Sequence, residues 1–166
     1  MKYQLTHYYQ PTNYSCSQAS LAMIFSFLGR ESTPEEIIAS IPVVTDDHGK
    51  ELGTPNQELA TWCLRQGYAV EMHSADFQIL DLSWAKLPKD KLLQGMKLAK
   101  GKHMVPSLEK IYSDRYIQAY IDFVEAGGEL FIEQFMNTKL FDKLLESGPF
   151  LAAVSYNVLW NCGRTT

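Results

Sequence analysis

The strongest apolar run in the chain is Leu21-Ala-Met-Ile-Phe-Ser-Phe-Leu28, interrupted only by Ser26. A helix that is apolar on nearly every side is a buried one. Ser15 stands where an N-cap belongs and Gly29 where a helix stops, so the pattern predicts a buried helix over Cys16 to Leu28. Thr33-Pro34-Glu35-Glu36 then combines a cap, a first-turn proline and two acids at the positive helix end, which predicts a second helix ending near Ile41-Pro42. A polar loop with Asp46, Asp47, His48 and Gly49 follows. Thr54-Pro55 opens a third helix that runs to about Gln66 and ends at Gly67. Tyr68 to His73 alternates and reads as a strand. Lys89 to Ala126 has helical spacing, broken near Gly101 and Pro106 and closed by Gly127-Gly128. Leu130 to Glu133 fits a short strand, and Asn137 to Ser147 a helix with Leu140, Phe141, Leu144 and Leu145 on one face. Pro149 to Tyr156 reads as an apolar strand, opened by a proline where a missing N–H is tolerated. Helices come first and strands increase toward the end, a mixed α/β (α+β) order. A last strand this apolar wants neighbours on both edges and cover on both faces, and the sequence supplies few.

Composition narrows the class. The chain has 166 residues, 46% apolar and 20% charged, which fits one globular domain without repeats or linkers. The net charge is −4 and no basic stripe is present, which argues against nucleic acid as the main partner. The longest apolar run is far too short to span a bilayer, and the N-terminus lacks an apolar signal core. The expected compartment is therefore cytoplasmic. The three cysteines, Cys16, Cys63 and Cys162, are an odd number without a CxxC pair. Reduced thiols follow, with no structural zinc and no cofactor.

Chemistry concentrates in Tyr9-Gln10-Pro-Thr-Asn-Tyr-Ser-Cys16-Ser-Gln-Ala-Ser-Leu-Ala-Met. Cys16 falls at the N-terminal end of the buried helix, where the helix dipole and free N–H groups favour a thiolate. Gln10 lies six residues earlier, on a loop stiffened by Pro11. Its amide and the Cys16 N–H are two neutral donors of the kind that form an oxyanion hole. Together they make the attacking half of a cysteine hydrolase.

This arrangement resembles the papain-like cysteine peptidases. The pattern Gln10…Cys16-x-x-Ala19-x-Leu21-x-Met23, closed by Gly29, is similar to the bacterial peptidases that cleave double-glycine leaders of bacteriocins. Two further stretches match in order: Gly53-Thr54-Pro55 with its helix and Gly67-Tyr68, and Leu144-Leu145-Glu-Ser-Gly148-Pro149 feeding an apolar strand. The resemblance implies an incomplete papain-like fold over 1–166: one peptidase-like domain, with the N-terminal helical part and the first strands of the sheet. It implies peptide or protein substrates, with Cys16 as nucleophile and Gln10 in the oxyanion hole. Ser17 stands where the family carries Gly. The family's catalytic His and the Asp or Asn after it follow the Gly-Pro strand. Here Asn157 to Thr166 has neither at a matching position, so this chain alone is expected not to turn over peptide. The alternatives on the same scaffold are an inactive peptide-binding module and another acyl-transfer enzyme, an amidase or transferase.

Other chemically suggestive residues have plainer readings. Cys63 lies inside the third helix and reads as core, and Cys162 as incidental. His7 reads as a surface residue, His48 as part of a solvated acidic loop, His73 as a solvated strand residue and His103 as part of a flexible connection. His48, His73 and His103 stand in reserve as bases. Trp62, Trp84, Trp160 and the helically spaced Tyr112, Tyr116, Tyr120 and Phe123 read as packing. The lysines from Lys86 to Lys102 read as the solvated face of an amphipathic helix.

Overall fold

The computed structural model describes residues 3–45, 48–102 and 110–154, with side chains of 110–113 excepted. Six helices appear among these residues. They are α1 (Cys16–Phe27), α2 (Pro34–Ser40), α3 (Asn56–Arg65), α4 (Lys89–Ala99), α5 (Lys110–Glu125) and α6 (Thr138–Ser147). The strands are β1 (Val44–Thr45), β2 (Glu51–Gly53), β3 (Glu71–Ser74) and β4 (Glu129–Ile132), and one 3-10 turn spans Leu82–Trp84. The chain is thus a mixed helix-and-strand protein. No described helix is long and apolar enough to cross a membrane.

Local chemistry sets most helix ends. The Thr33 hydroxyl accepts from the Glu36 N–H at 3.3 Å while the Glu36 carboxylate accepts from the Thr33 N–H at 3.0 Å, a reciprocal capping box at the start of α2. Asn137 caps α6 through the Leu140 N–H. Helices α1, α3 and α5 each stop the same way. In α3, Gly67 takes φ 89°, its N–H bonds the Leu64 carbonyl, and the Tyr68 N–H reaches back to Cys63 at 3.2 Å. That geometry needs a residue in the left-handed region, where glycine carries no Cβ penalty.

Two helix–turn–strand units lie side by side. Helix α3 packs on α5, and β3, which follows α3, pairs in parallel with β4, which follows α5. In register, Met72 faces Leu130 and Ser74 faces Ile132. The inner face of this two-stranded sheet, with α3, α4 and α5, encloses one core: Leu80, Leu92, Met96, Tyr120, Ile121, Phe123 and Val124 are almost fully buried. The spacing of Leu92, Met96 and Ala99 gives α4 the buried stripe its amphipathic pattern predicts. A second core joins α1, α2 and α3 through Leu21, Ala22, Phe25, Ile37, Ile41, Leu59 and Cys63. Val70 packs against both.

Several expectations change. Helix α1 is buried along one side, not all round: Phe27 is 39% exposed and its C-cap Leu28 is 54% exposed. The stretch expected as a strand from Tyr68 becomes one only at Glu71, because its hydrogen bonds depend on where β4 lies. Pro149 to Val154 is not a strand; Leu151 packs on the α1 core and Phe150 stacks on Phe141 at 5.9 Å instead. Residues 155–156 of that expected strand lie outside the described residues, as do His103, Trp160 and Cys162. Around the polar loop, β1 and β2 form a short antiparallel hairpin with a register irregularity.

Candidate functional site

Cys16 is the first residue of α1 and is exposed. Ser15 occupies the N-cap position, as the sequence predicts, but its side chain makes no cap hydrogen bond. Its hydroxyl turns back instead, donating to the Thr12 carbonyl at 3.1 Å and accepting from the Thr12 N–H at 3.0 Å. Ser15 is fully buried in that turn. The first-turn N–H groups of α1 are therefore not capped from within the turn, and the first turn carries no acidic side chain. A helix start of this kind favours negative charge placed at it.

The β2–α3 connection docks against the same helix start. Gln18, at 0% exposure, donates through Nε2 to the Thr54 hydroxyl at 2.8 Å and to the Ile41 carbonyl at 3.0 Å. The Thr54 hydroxyl donates in turn to the Pro42 carbonyl at 3.5 Å. One residue nearer the cysteine, the Ser17 hydroxyl donates to Asn56 Oδ1 at 3.4 Å. At Gly53, with φ 93°, a Cβ would stand 3.9 Å from the Tyr14 carbonyl. The Gly53–Asn56 stretch and the loop before Cys16 thus share one site. Sequence reasoning ordered these two motifs along the chain but missed Gln18, whose signal was available: a polar residue one turn into an apolar helix must be hydrogen-bonded when buried. Gln18 Oε1 has no partner among the described residues.

Gln10 lies exposed on the segment that leads into the Thr12–Ser15 turn, and its side chain has no hydrogen-bond partner among the described residues. Cys63 is where the sequence places it, in α3 and 8% exposed. Burial pushes its thiol up to about 11, with Arg30 pulling slightly the other way. It is a packing cysteine, held as the neutral thiol by its burial.

Two of the described histidines have identified partners. His7 meets the Tyr9 ring edge-on at 4.7 Å. His48 is exposed between β1 and β2. His73 is not solvated as expected. Its side chain is 13% exposed, with Nδ1 2.8 Å from Glu133 and Nε2 3.8 Å from Glu71. Its ring stacks on Phe131 at 4.7 Å. Strand parity put His73 on the outer face with Glu71, as the sequence indicated, but its cover comes from β4, sixty residues on. No group of three or more metal-ligating side chains occurs among the described residues.

A second polar cluster sits in the larger core. The Ser74 and Tyr120 hydroxyls are 2.7 Å apart. Burial pushes both Tyr120 and the neighbouring Asp76 above their ordinary values. This cluster ties α5 to β3.

Comparison with protein-family models, curated proteins and solved structures finds no match to this chain.

Proposed function

We propose that this chain is a cysteine peptidase-like protein. In this reading Cys16 attacks peptide bonds, and Gln10 and the Cys16 N–H hold the oxyanion. One observation supports this above the others: the exposed cysteine begins a helix whose cap hydroxyl is turned away and whose first turn holds no acid. The three motifs that resemble double-glycine leader peptidases support the substrate class. The thiolate adds to the peptide carbonyl carbon, forming a C–S bond and placing the electron pair on oxygen. Collapse expels the amine with a proton from a general acid, and water then hydrolyses the thioester. No cofactor enters these steps.

The rival reading is a peptide-binding module without turnover. It is favoured by the contacts of His7 and His73, which go to Tyr9 and to Glu133, Glu71 and Phe131. Trapping separates the two. A peptide aldehyde ending in Gly-Gly is incubated with the native chain and with Cys16→Ala, and adducts are mapped by mass spectrometry. The peptidase reading expects a thiohemiacetal on Cys16 that an unmodified leader peptide suppresses. An adduct on Cys63, or one indifferent to leader peptide, overturns it. Tight leader binding without any adduct supports the module. Cleavage assays with His48→Ala and His103→Ala then test for a base within the chain.

A further inference from the structure

Two segments are pinned to the smaller core, one at Tyr8 and the other at Leu151. Outside those pins they hold each other. On the N-terminal side, the Ser26 hydroxyl donates to the Thr6 hydroxyl at 2.8 Å, and the Tyr3 ring meets Phe27 edge-on at 5.2 Å. On the C-terminal side lies α6, and the Tyr3 hydroxyl donates to its Leu145 carbonyl.

That carbonyl belongs to the last turn of α6, where carbonyls have no partner inside the helix. The usual backbone remedy is missing. No bond from the Gly148 N–H back to the helix is present among the described residues, and Pro149 has no N–H to give. The last turn carries no cation either. Tyr3 therefore caps α6 from outside.

The rest of the hold on α6 is slight. None of its residues is buried. Its apolar side, Leu140, Phe141, Leu144 and Leu145, is half-buried and belongs to neither core. The ring stacked on Phe141 is Phe150, from the segment that α6 itself runs into. A helix of ten residues is marginal by itself, and elements with few buried contacts open first.

We infer that α6 and the N-terminal strap, residues 3–6, form a latch that opens and closes as one local unit. The Tyr3–Leu145 bond is its catch, and Tyr8 and Leu151 are its fixed ends. The rest of the fold stays closed while the latch opens. The unit stops short of Gln10 and Cys16, so it stands whether or not Cys16 is a nucleophile.

The test is native-state hydrogen exchange on the full chain. Amides 142–147, which bond within α6, should be protected at least about 100-fold less than amides 121–124 of α5. Urea below the unfolding transition should speed the α5 amides and barely change those of α6, because a local opening exposes little surface. Tyr3→Phe keeps the ring and removes only the hydroxyl. It should speed α6 exchange about fivefold, the scale of one net hydrogen bond. Tyr9→Phe, on the same segment but 84% exposed, should leave α6 within twofold of native, and Tyr3→Phe should leave Cys16 alkylation unchanged. Equal protection and urea response in α6 and α5 overturns the inference, because α6 then opens only with the whole fold. So does an α6 with no protection at all, or one indifferent to Tyr3→Phe. Faster Cys16 alkylation in Tyr3→Phe, by more than twofold, overturns the boundary at Tyr8.

Discussion

Limiting alkylation should discriminate sharply between Cys16 and Cys63, and the size of the difference follows from their surroundings. The perturbation is iodoacetamide at pH 8, applied to the native chain on a Cys162→Ser background so that only the two described thiols compete. Burial holds the Cys63 thiol up at about 11. Such a thiol is ionised in about one molecule in a thousand at pH 8, whereas a thiol at the ordinary value of 9.0 is about one tenth ionised. That is about 100-fold in reactive species. The more basic thiolate is the better nucleophile, and a Brønsted slope of about 0.4–0.5 returns roughly eightfold of this. Ionisation alone therefore slows Cys63 about tenfold relative to an ordinary exposed thiol.

Burial widens the gap, because Cys63 is 8% exposed and sits between Leu59 and the α1 side chains of the smaller core. The reagent reaches it only when that core opens. The assay is a quenched time course with peptide mapping, repeated at pH 9 and 10. Cys16 should label at least about 10 times faster at pH 8. Cys63 labelling should climb close to tenfold per pH unit, as expected below the midpoint of its titration. In urea the two rates should converge, which assigns the difference to the fold. Cys63 labelling within about threefold of Cys16 in the native state would refute the reasoning, because neither ionisation nor burial would then be protecting it.

Three further outcomes follow from the geometry. The folded Cys63 thiol titrates above its ordinary value of 9.0, so the unfolded chain loses this proton first. The stability it contributes is full below about pH 9 and falls as pH rises to about 11, by on the order of 2 kcal/mol; urea unfolding of Cys63→Ala should lack that part of the alkaline decline. Gly128→Ala places a Cβ 2.3 Å from the Phe123 ring and should lower stability by about 2–3 kcal/mol, against about 1 kcal/mol for Gly127→Ala, whose site is open but left-handed; equal midpoints for the two would count against the packing described. Gln18→Leu strips the donor from the Ile41 carbonyl and the Thr54 hydroxyl and should cost about 1–3 kcal/mol, read as a shift in the urea midpoint; an unchanged midpoint means that tie contributes nothing.

What the sequence could reveal divides by the distance over which each feature is decided. The Thr33 cap of α2 and the glycine stops at Gly29, Gly67 and Gly127 are settled within a few residues, and each lies where the pattern put it, while α6 begins one residue later than expected, with Asn137 as its cap. The place of Cys16 at a helix start and the burial of Cys63 were legible for the same reason. Features decided by remote pairing were not. The start of β3 depends on Glu71 facing Glu129, and the burial of His73 depends on Glu133. Phe150 and Leu151 pack on Phe141 and the α1 core rather than pairing as a strand, while Ala152 to Val154 are exposed, an outcome that hydrophobicity alone does not distinguish. The β1–β2 hairpin has strands of two and three residues, too short to show an alternation.

The strip from Ser40 to Val44 explains why substitutions must be chosen with care. Its Ile41 and Pro42 carbonyls accept from Gln18 and Thr54 and so hold the β2–α3 connection against the start of α1. Its side chains form one wall of a cavity between α3 and α5. Val44 also pairs with Gly53 in the hairpin. A change anywhere in this strip therefore disturbs the surroundings of Cys16 and the wall facing Trp62 together, and a loss of function there cannot be assigned to either. Cys16 lacks that ambiguity. It is an exposed residue at the start of α1 and takes no part in the Gln18–Thr54–Ile41 ties. Cys16→Ala should therefore leave the urea midpoint within about 0.5 kcal/mol of native, whereas Gln18→Leu lowers it. A comparable loss from Cys16→Ala would mean that the cysteine is part of the packing at this helix start and not a side chain offered to solvent.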